Sequence, residues 1–114
     1  MAITSEIIGK LGGADVEVIP VEREASGPKG SSVVLATIDV PAGETWLVAA
    51  IGQATPAITS LPPQLHLGDE ASTEAPRGTH GLATTATESI SLSIKRNTNS
   101  GSDAFTGHVY AVKL

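Results

Sequence analysis

Apolar and polar residues alternate with a period of two along most of this chain, which is the pattern of β-strands that bury one face. The cleanest run is 89–95, where isoleucines and a leucine alternate with serines and a lysine. Further runs at 15–21, 31–40, 45–53, 64–68 and 105–114 are separated by turn residues. Short strands in this arrangement predict an all-β, antiparallel, jelly-roll-like sandwich. The residues predicted to build its core are Val34, Ala36, Ile38, Val48, Ile90, Leu92, Ile94 and Val109.

Three local features refine this prediction. Residues 40–47, VPAGETWL, indicate a strand, a tight turn and a second strand, because Pro41 and Gly43 suit the backbone angles of turns. Pro20 predicts an edge position for the first strand, and residues 22–30 are polar and predict a turn region. Residues 69–88 show no clear period and predict a long loop, or a weak strand near 82–87.

The run 45–53 is apolar on both faces. Its even positions, beginning at Trp46, suit the core, whereas its odd positions would face outward. Monomers rarely expose large apolar patches, so a cover is expected. Either the 69–88 segment folds across this outer face, or another copy of the chain packs on it. The candidate assembly contacts on this strand are Leu47, Ala49 and Ile51.

Residues 1–13 predict an anchoring segment ahead of a sandwich domain at 14–114. Thr4 or Ser5 can cap a short helix over about residues 4–11, and Gly12-Gly13 suits its end and a hinge. A helix this short needs a surface on which to dock. Its candidate assembly contacts are Ile3, Ile7, Ile8 and Leu11.

The composition excludes several classes of function. Twelve acidic against seven basic residues give a net charge of −5, which disfavours nucleic acid as a partner. Cysteine is absent, so neither a disulfide nor a thiolate site is available. The N-terminus lacks the basic and apolar regions of a signal peptide, and no apolar run has the length of a membrane span.

The chain offers little chemistry for catalysis or metal binding. His66 lies near Asp69 and Glu70, but no HxH or HxxxH spacing supports a metal site, and alternation places His66 opposite the apolar face of its strand. No GxSxG elbow and no phosphate-binding glycine loop occur. We therefore expect no enzyme, no catalytic residue, no metal and no cofactor. A receptor- or carbohydrate-binding β-sandwich module is the alternative, although aromatic residues make up only 3% of the chain, and Trp46 and Phe105 suit the core.

Three segments, TSEIIGKLGG, VPAGETWLVAA and SDAFTGHVYAVKL, resemble those of small structural proteins of tailed actinobacteriophages, a group that includes minor tail and head-decoration components. The resemblance implies a surface-displayed β-sandwich that assembles in the virion and has no catalytic residues. It further implies a homo-oligomer, a trimer in such modules, with capsid or tail proteins as other partners. A host cell-surface glycan is the ligand expected under the alternative function.

Overall fold

The computed structural model describes residues 16–114, so the predicted anchoring segment, residues 1–13, lies outside the described part of the chain. Within that part every regular element is a strand. In chain order they are β1 (Val16–Ala25), β2 (Ser32–Ile38), β3 (Trp46–Thr55), β4 (Gln64–Leu67), β5 (Ala71–Glu74), β6 (Gly78–Ala86), β7 (Ile90–Lys95) and β8 (Asp103–Lys113).

The strands form two four-stranded sheets packed as a sandwich. Sheet A has the order β1-β8-β3-β6, and sheet B has the order β2-β7-β4-β5. Every pairing is antiparallel. Consecutive strands mostly belong to different sheets, and the first and last strands lie side by side. This is jelly-roll topology, so the predicted fold class is confirmed.

The core lies between the inner faces of the two sheets. Five predicted core residues are buried: Ile38, Val48, Leu92, Ile94 and Val109. Two more, Ala36 and Ile90, are partly buried and pack against the core. Trp46 and Phe105 are also buried, as predicted. The low aromatic content therefore leaves a core of aliphatic side chains with one large ring on each of two neighbouring strands.

The prediction for Val34 is wrong, because this side chain is 49% exposed. The pairing of β2 with β7 shifts register between Val34 and Ala36, so Leu35 is an extra residue with no direct partner. Such a β-bulge interrupts the alternation of the strand. Leu35 is buried instead, and Val34 is turned to the outer face of sheet B.

For 69–88 the prediction of a long loop is wrong, and the alternative, a weak strand near 82–87, is confirmed over residues 82–86, which belong to β6. This segment contains all of β5, the edge strand of sheet B, and all of β6, the edge strand of sheet A. Alternating Thr, Ala and Gly residues carry too little apolar character to show a period, but β3 supplies the pairing partner for β6. The segment therefore adds a strand to each sheet and does not fold across the outer face of β3.

The predictions for the first strand and for the turn after Val40 can also be compared with the structure. β1 is an edge strand, as Pro20 predicted, but it continues to Ala25 and so includes part of the region predicted as turn. In the VPAGETWL segment, Gly43 has a φ of 81°, and the Glu44 amide donates to the Pro41 carbonyl at 3.1 Å. The Glu44 carboxylate then accepts a 3.0 Å hydrogen bond from the Trp46 indole, which satisfies the polar atom of a buried ring.

Candidate assembly surface

The outer face of sheet A carries an apolar surface centred on β3. Burial alternates along this strand, with Trp46 and Val48 in the core and the intervening residues outside. Leu47 and Ile51 are 42% and 48% exposed, and Ala49 between them is half-buried. The three predicted contacts on β3 therefore share one outward face, where no residue of the described part of the chain covers them fully.

Neighbouring strands extend this surface sideways, because residues paired across antiparallel strands point to the same face. The register joins three rows: Val16, Val112 and Leu47 in the first, Val18, Tyr110 and Ala49 in the second, and Pro20, His108 and Ile51 in the third. We call seven of these residues the apolar patch: Val16, Val18, Leu47, Ala49, Ile51, Tyr110 and Val112.

The patch has a defined polar boundary. At its third row the His108 ring stacks on Tyr110, with 5.9 Å between ring centroids and 29° between the ring planes. The next row contains Glu22, Thr106 and Gln53, all exposed. This polar row bounds the patch on the side of Ile51.

The outer face of sheet B differs sharply from that of sheet A. Apart from Val34, it presents polar side chains, because alternation turns the leucines and isoleucines of β4 and β7 inward. His66 lies on this face, paired with Ser93 and Ser72, and is half-buried. The prediction that His66 lies opposite the Leu65/Leu67 face is confirmed. Among residues 16–114, sheet A therefore offers an extended apolar exterior and sheet B does not.

Sequence reasoning found the β3 part of the patch and missed its flanks. The sequence shows that the flanking residues are apolar: Val16, Val18, Tyr110 and Val112. It does not show that they lie beside β3, because that depends on the pairing of β1 and β3 with β8. The apolar character of 105–114 up to its last residue was the available signal. The four predicted contacts Ile3, Ile7, Ile8 and Leu11 lie outside the described residues.

The patch is small for an interface that acts alone. Each residue on a sheet face occupies about 33 Å², from the spacing between strands and between alternate residues, so seven residues span roughly 230 Å². A standard interface buries about 800 Å² on each partner. Stable assembly through this face therefore requires additional contact area from another part of the chain or from a partner.

A buried ion pair lies at the end of the sandwich away from the VPAGETWL turn. Arg96 Nη1 donates to the carbonyls of Ala25 and Gly101, each at 2.8 Å, while Nη2 donates to those of Thr98 and Ser100 at 3.2 and 2.7 Å. Arg96 Nε lies 3.6 Å from Asp103 Oδ2. Nε forms an ion pair with Asp103 but no hydrogen bond, so Arg96 organises the 97–102 turn through the carbonyls bound by its two terminal nitrogens.

The remaining described residues show neither an aromatic-lined cleft nor a metal site. A cleft of about 450 Å³ lies beside Pro63, Gln64, Glu74 and Lys95, and none of its described lining residues is aromatic. Residues 16–114 contain no group of three or more His, Asp or Glu side chains placed to hold a metal ion. Within the same range, no helix is long and apolar enough to cross a membrane.

One of the aligned solved structures supports the fold. A chain from the structure of the Gx strain of infectious bursal disease virus aligns with a TM-score of 0.53 and 13% identity, covering 87% of this chain and 32% of that chain. This chain thus spans about a third of the viral one. A designed double-stranded β-helix (TM-score 0.37, 11% identity, 82% and 97% coverage) and FLHE (0.43, 15%, 88% and 97%) also align.

No protein-family model and no curated protein matches the sequence. At 13% identity, the alignment with the viral chain shows that the two share a fold. It says nothing about function, because one fold can host many functions.

Proposed function

We propose that this protein is a non-enzymatic structural component of a bacteriophage virion, displayed on its surface as a decoration or minor tail protein. The apolar patch is the observation that carries the proposal, because it gives the sandwich a surface suited to assembly. The resemblance of three segments to phage structural proteins supports the virion setting. The jelly-roll alignment with a chain of a virus structure is consistent with it.

In this function the patch packs against a neighbouring subunit or another virion protein, and residues 1–13 add the contact area that the patch lacks. Small Ala49 lets the facing surface approach β3 closely. The resemblance implies three-fold association of the chain with itself, with capsid or tail proteins as further partners. Symmetry repeats the same patch around the axis, so a modest contact is made several times.

The substitution I51E tests the role of the patch. It places a charge in the third row of the apolar patch and is expected to reduce incorporation into particles by at least tenfold, because burying an unpaired carboxylate is costly. The matched control is V34E, since Val34 is 49% exposed on the opposite outer face and Ile51 is 48% exposed. Occupancy is measured by quantitative mass spectrometry of purified particles, and folding by circular dichroism.

Loss of incorporation with I51E and retention with V34E supports the proposal. Equal incorporation of both folded variants, or complete absence of the protein from purified particles, contradicts it. A glycan array on the same protein tests the alternative. Specific glycan binding that survives I51E would assign the domain to carbohydrate recognition.

A further inference from the structure

The unpaired edge of β6 is the feature that the assembly surface does not explain. β6 hydrogen-bonds with β3 on one side only. Its second edge has no strand partner among residues 16–114. An edge strand presents a row of backbone N–H and C=O groups that can pair with another chain. β6 is nine residues long and contains no Asp, Glu, Lys, Arg or Pro.

The other three sheet edges formed by the described residues are protected against pairing. β1 carries Pro20 and the charged run Glu22–Glu24, β2 is interrupted by the bulge at Leu35, and β5 has only four residues. Proline, charges, bulges and shortness are the devices by which proteins block edge-to-edge association. β6 has none of them, and its register with β3 is continuous over nine pairs.

We propose that β6 pairs antiparallel with β6 of a second copy of this chain, about a two-fold axis at Leu82. Leu82 is the central residue of β6, so this register aligns the two strands over their full length. It places Thr79 opposite Thr85 of the second copy and Gly81 opposite Ala83. No pair brings like charges together, and Thr–Thr pairs are favourable across strands.

The charges that flank β6 fit the same register. Arg77 immediately precedes the strand, and Glu88 lies two residues beyond its end. Continuing the pairing places Arg77 opposite Thr87 of the second copy, adjacent to that copy's Glu88. Symmetry repeats this opposite-charge contact at the other end of the strand pair. An identical chain is thus complementary to this edge both along the strand and at its ends.

Edge pairing also enlarges the apolar exterior. Ala83 is paired with Ala49, and Gly81 with Ile51, so β6 continues the rows of the apolar patch. Joining two β6 strands makes one continuous sheet from two four-stranded sheets and brings the two patches onto the same surface. The backbone hydrogen bonds of a nine-residue antiparallel pair, about eight to ten, supply contact that the patch alone does not.

The test uses charge pairs that only this register brings together. T79K/T85K sets two lysines opposite each other twice, whereas T79K/T85E sets a lysine opposite a glutamate twice. Both variants place a charge beside Leu47, so they affect the outer face of sheet A alike. Positions 79 and 85 lie about 20 Å apart within one strand, so the charges interact little within a monomer.

Sedimentation velocity of the full chain in the I51E background measures edge pairing without association through the patch. We expect a dimer at protein concentrations up to about 1 mM, a Kd at least tenfold weaker for T79K/T85K, and a Kd equal to or tighter than the background for T79K/T85E. The control T37K/S72K adds the same charge to the outer face of sheet B and is expected to leave the dimer intact.

A monomer at about 1 mM in the I51E background overturns the inference. So does a T79K/T85K dimer of unchanged affinity, or a T79K/T85E dimer as weak as T79K/T85K. This inference does not depend on the virion role. If the I51E variant still dimerises and is still incorporated into particles, the proposed function alone is contradicted. If no dimer forms but the wild type is incorporated normally, the edge pairing alone is contradicted.

Discussion

At the scale of single residues, Gly52 makes room for Phe105, the buried aromatic residue of β8. Gly52 and Gly107 are paired across β3 and β8. A Cβ on Gly52 would lie 2.5 Å from Phe105 Cζ and 2.6 Å from the Thr106 carbonyl oxygen. The absence of a side chain at Gly52 therefore leaves space for the Phe105 ring in a core that has few other rings to fill its volume.

We expect G52A to lower the free energy of unfolding by about 1–3 kcal/mol, because overpacking displaces Phe105 or the β8 backbone. Gly81 on the neighbouring strand is the matched control. A Cβ there would meet its nearest atoms at 3.8 Å, an ordinary contact, so G81A is expected to be neutral or to stabilise by about 0.4–1 kcal/mol. Urea denaturation measures both, and equal stability of the two variants would contradict this account.

At the scale of elements, Arg96 joins three chain segments at the end of the sandwich away from the VPAGETWL turn. Its guanidinium binds the last carbonyl of β1 and the carbonyls of the 97–102 turn, while its partner Asp103 accepts from the Ala57 amide at 2.8 Å after β3. The Arg96 and Asp103 side chains are almost fully buried. One ion pair thus fixes connections that carry no regular structure of their own.

The substitution R96M should cost about 3–5 kcal/mol of stability, because it leaves the Asp103 carboxylate buried without its cation and several carbonyls without donors. Adding D103N removes the uncompensated charge and keeps an acceptor for the Ala57 amide, so R96M/D103N should recover part of the loss. Chemical denaturation of the single and double variants measures this coupling. A loss below about 1 kcal/mol for R96M would contradict a structural role for the pair.

At the scale of the whole molecule, the outer faces of the two sheets differ in polarity. Sheet A presents the apolar patch and the open edge of β6, while sheet B presents a polar exterior. Val16, the first described residue, lies in the first row of the patch beside Val112 and Leu47. The described part of the chain therefore begins at one end of the proposed assembly surface.

Deletion of residues 1–13 is expected to leave the sandwich folded, because all eight strands and the buried core lie within residues 16–114. Incorporation into particles is expected to fall at least tenfold, since the patch alone is too small to hold the domain. Circular dichroism checks the fold, and mass spectrometry of purified particles checks occupancy. Normal occupancy of the truncated protein would show that residues 1–13 are not an anchor.

Local pattern was enough to predict the fold class and much of the core. β7 shows why: Leu92 and Ile94 alternate with polar residues at constant register, so alternation along the sequence equals alternation of burial. The same rule identified Leu47, Ala49 and Ile51 as one face of β3, and Pro20 as a residue of an edge strand. Each of these conclusions depends only on neighbours within a few residues.

Contacts between distant segments decided the rest. The bulge at Leu35 arises from the pairing of β2 with β7 and reversed the prediction for Val34. β6 has no apolar period of its own, and β3 makes it a strand. The breadth of the apolar patch comes from β1 and β8 lying beside β3. The sequence by itself therefore determined most of the strands and their inward faces. Tertiary pairing decided which outward residues lie side by side, because backbone hydrogen bonds between remote segments set which strands are neighbours.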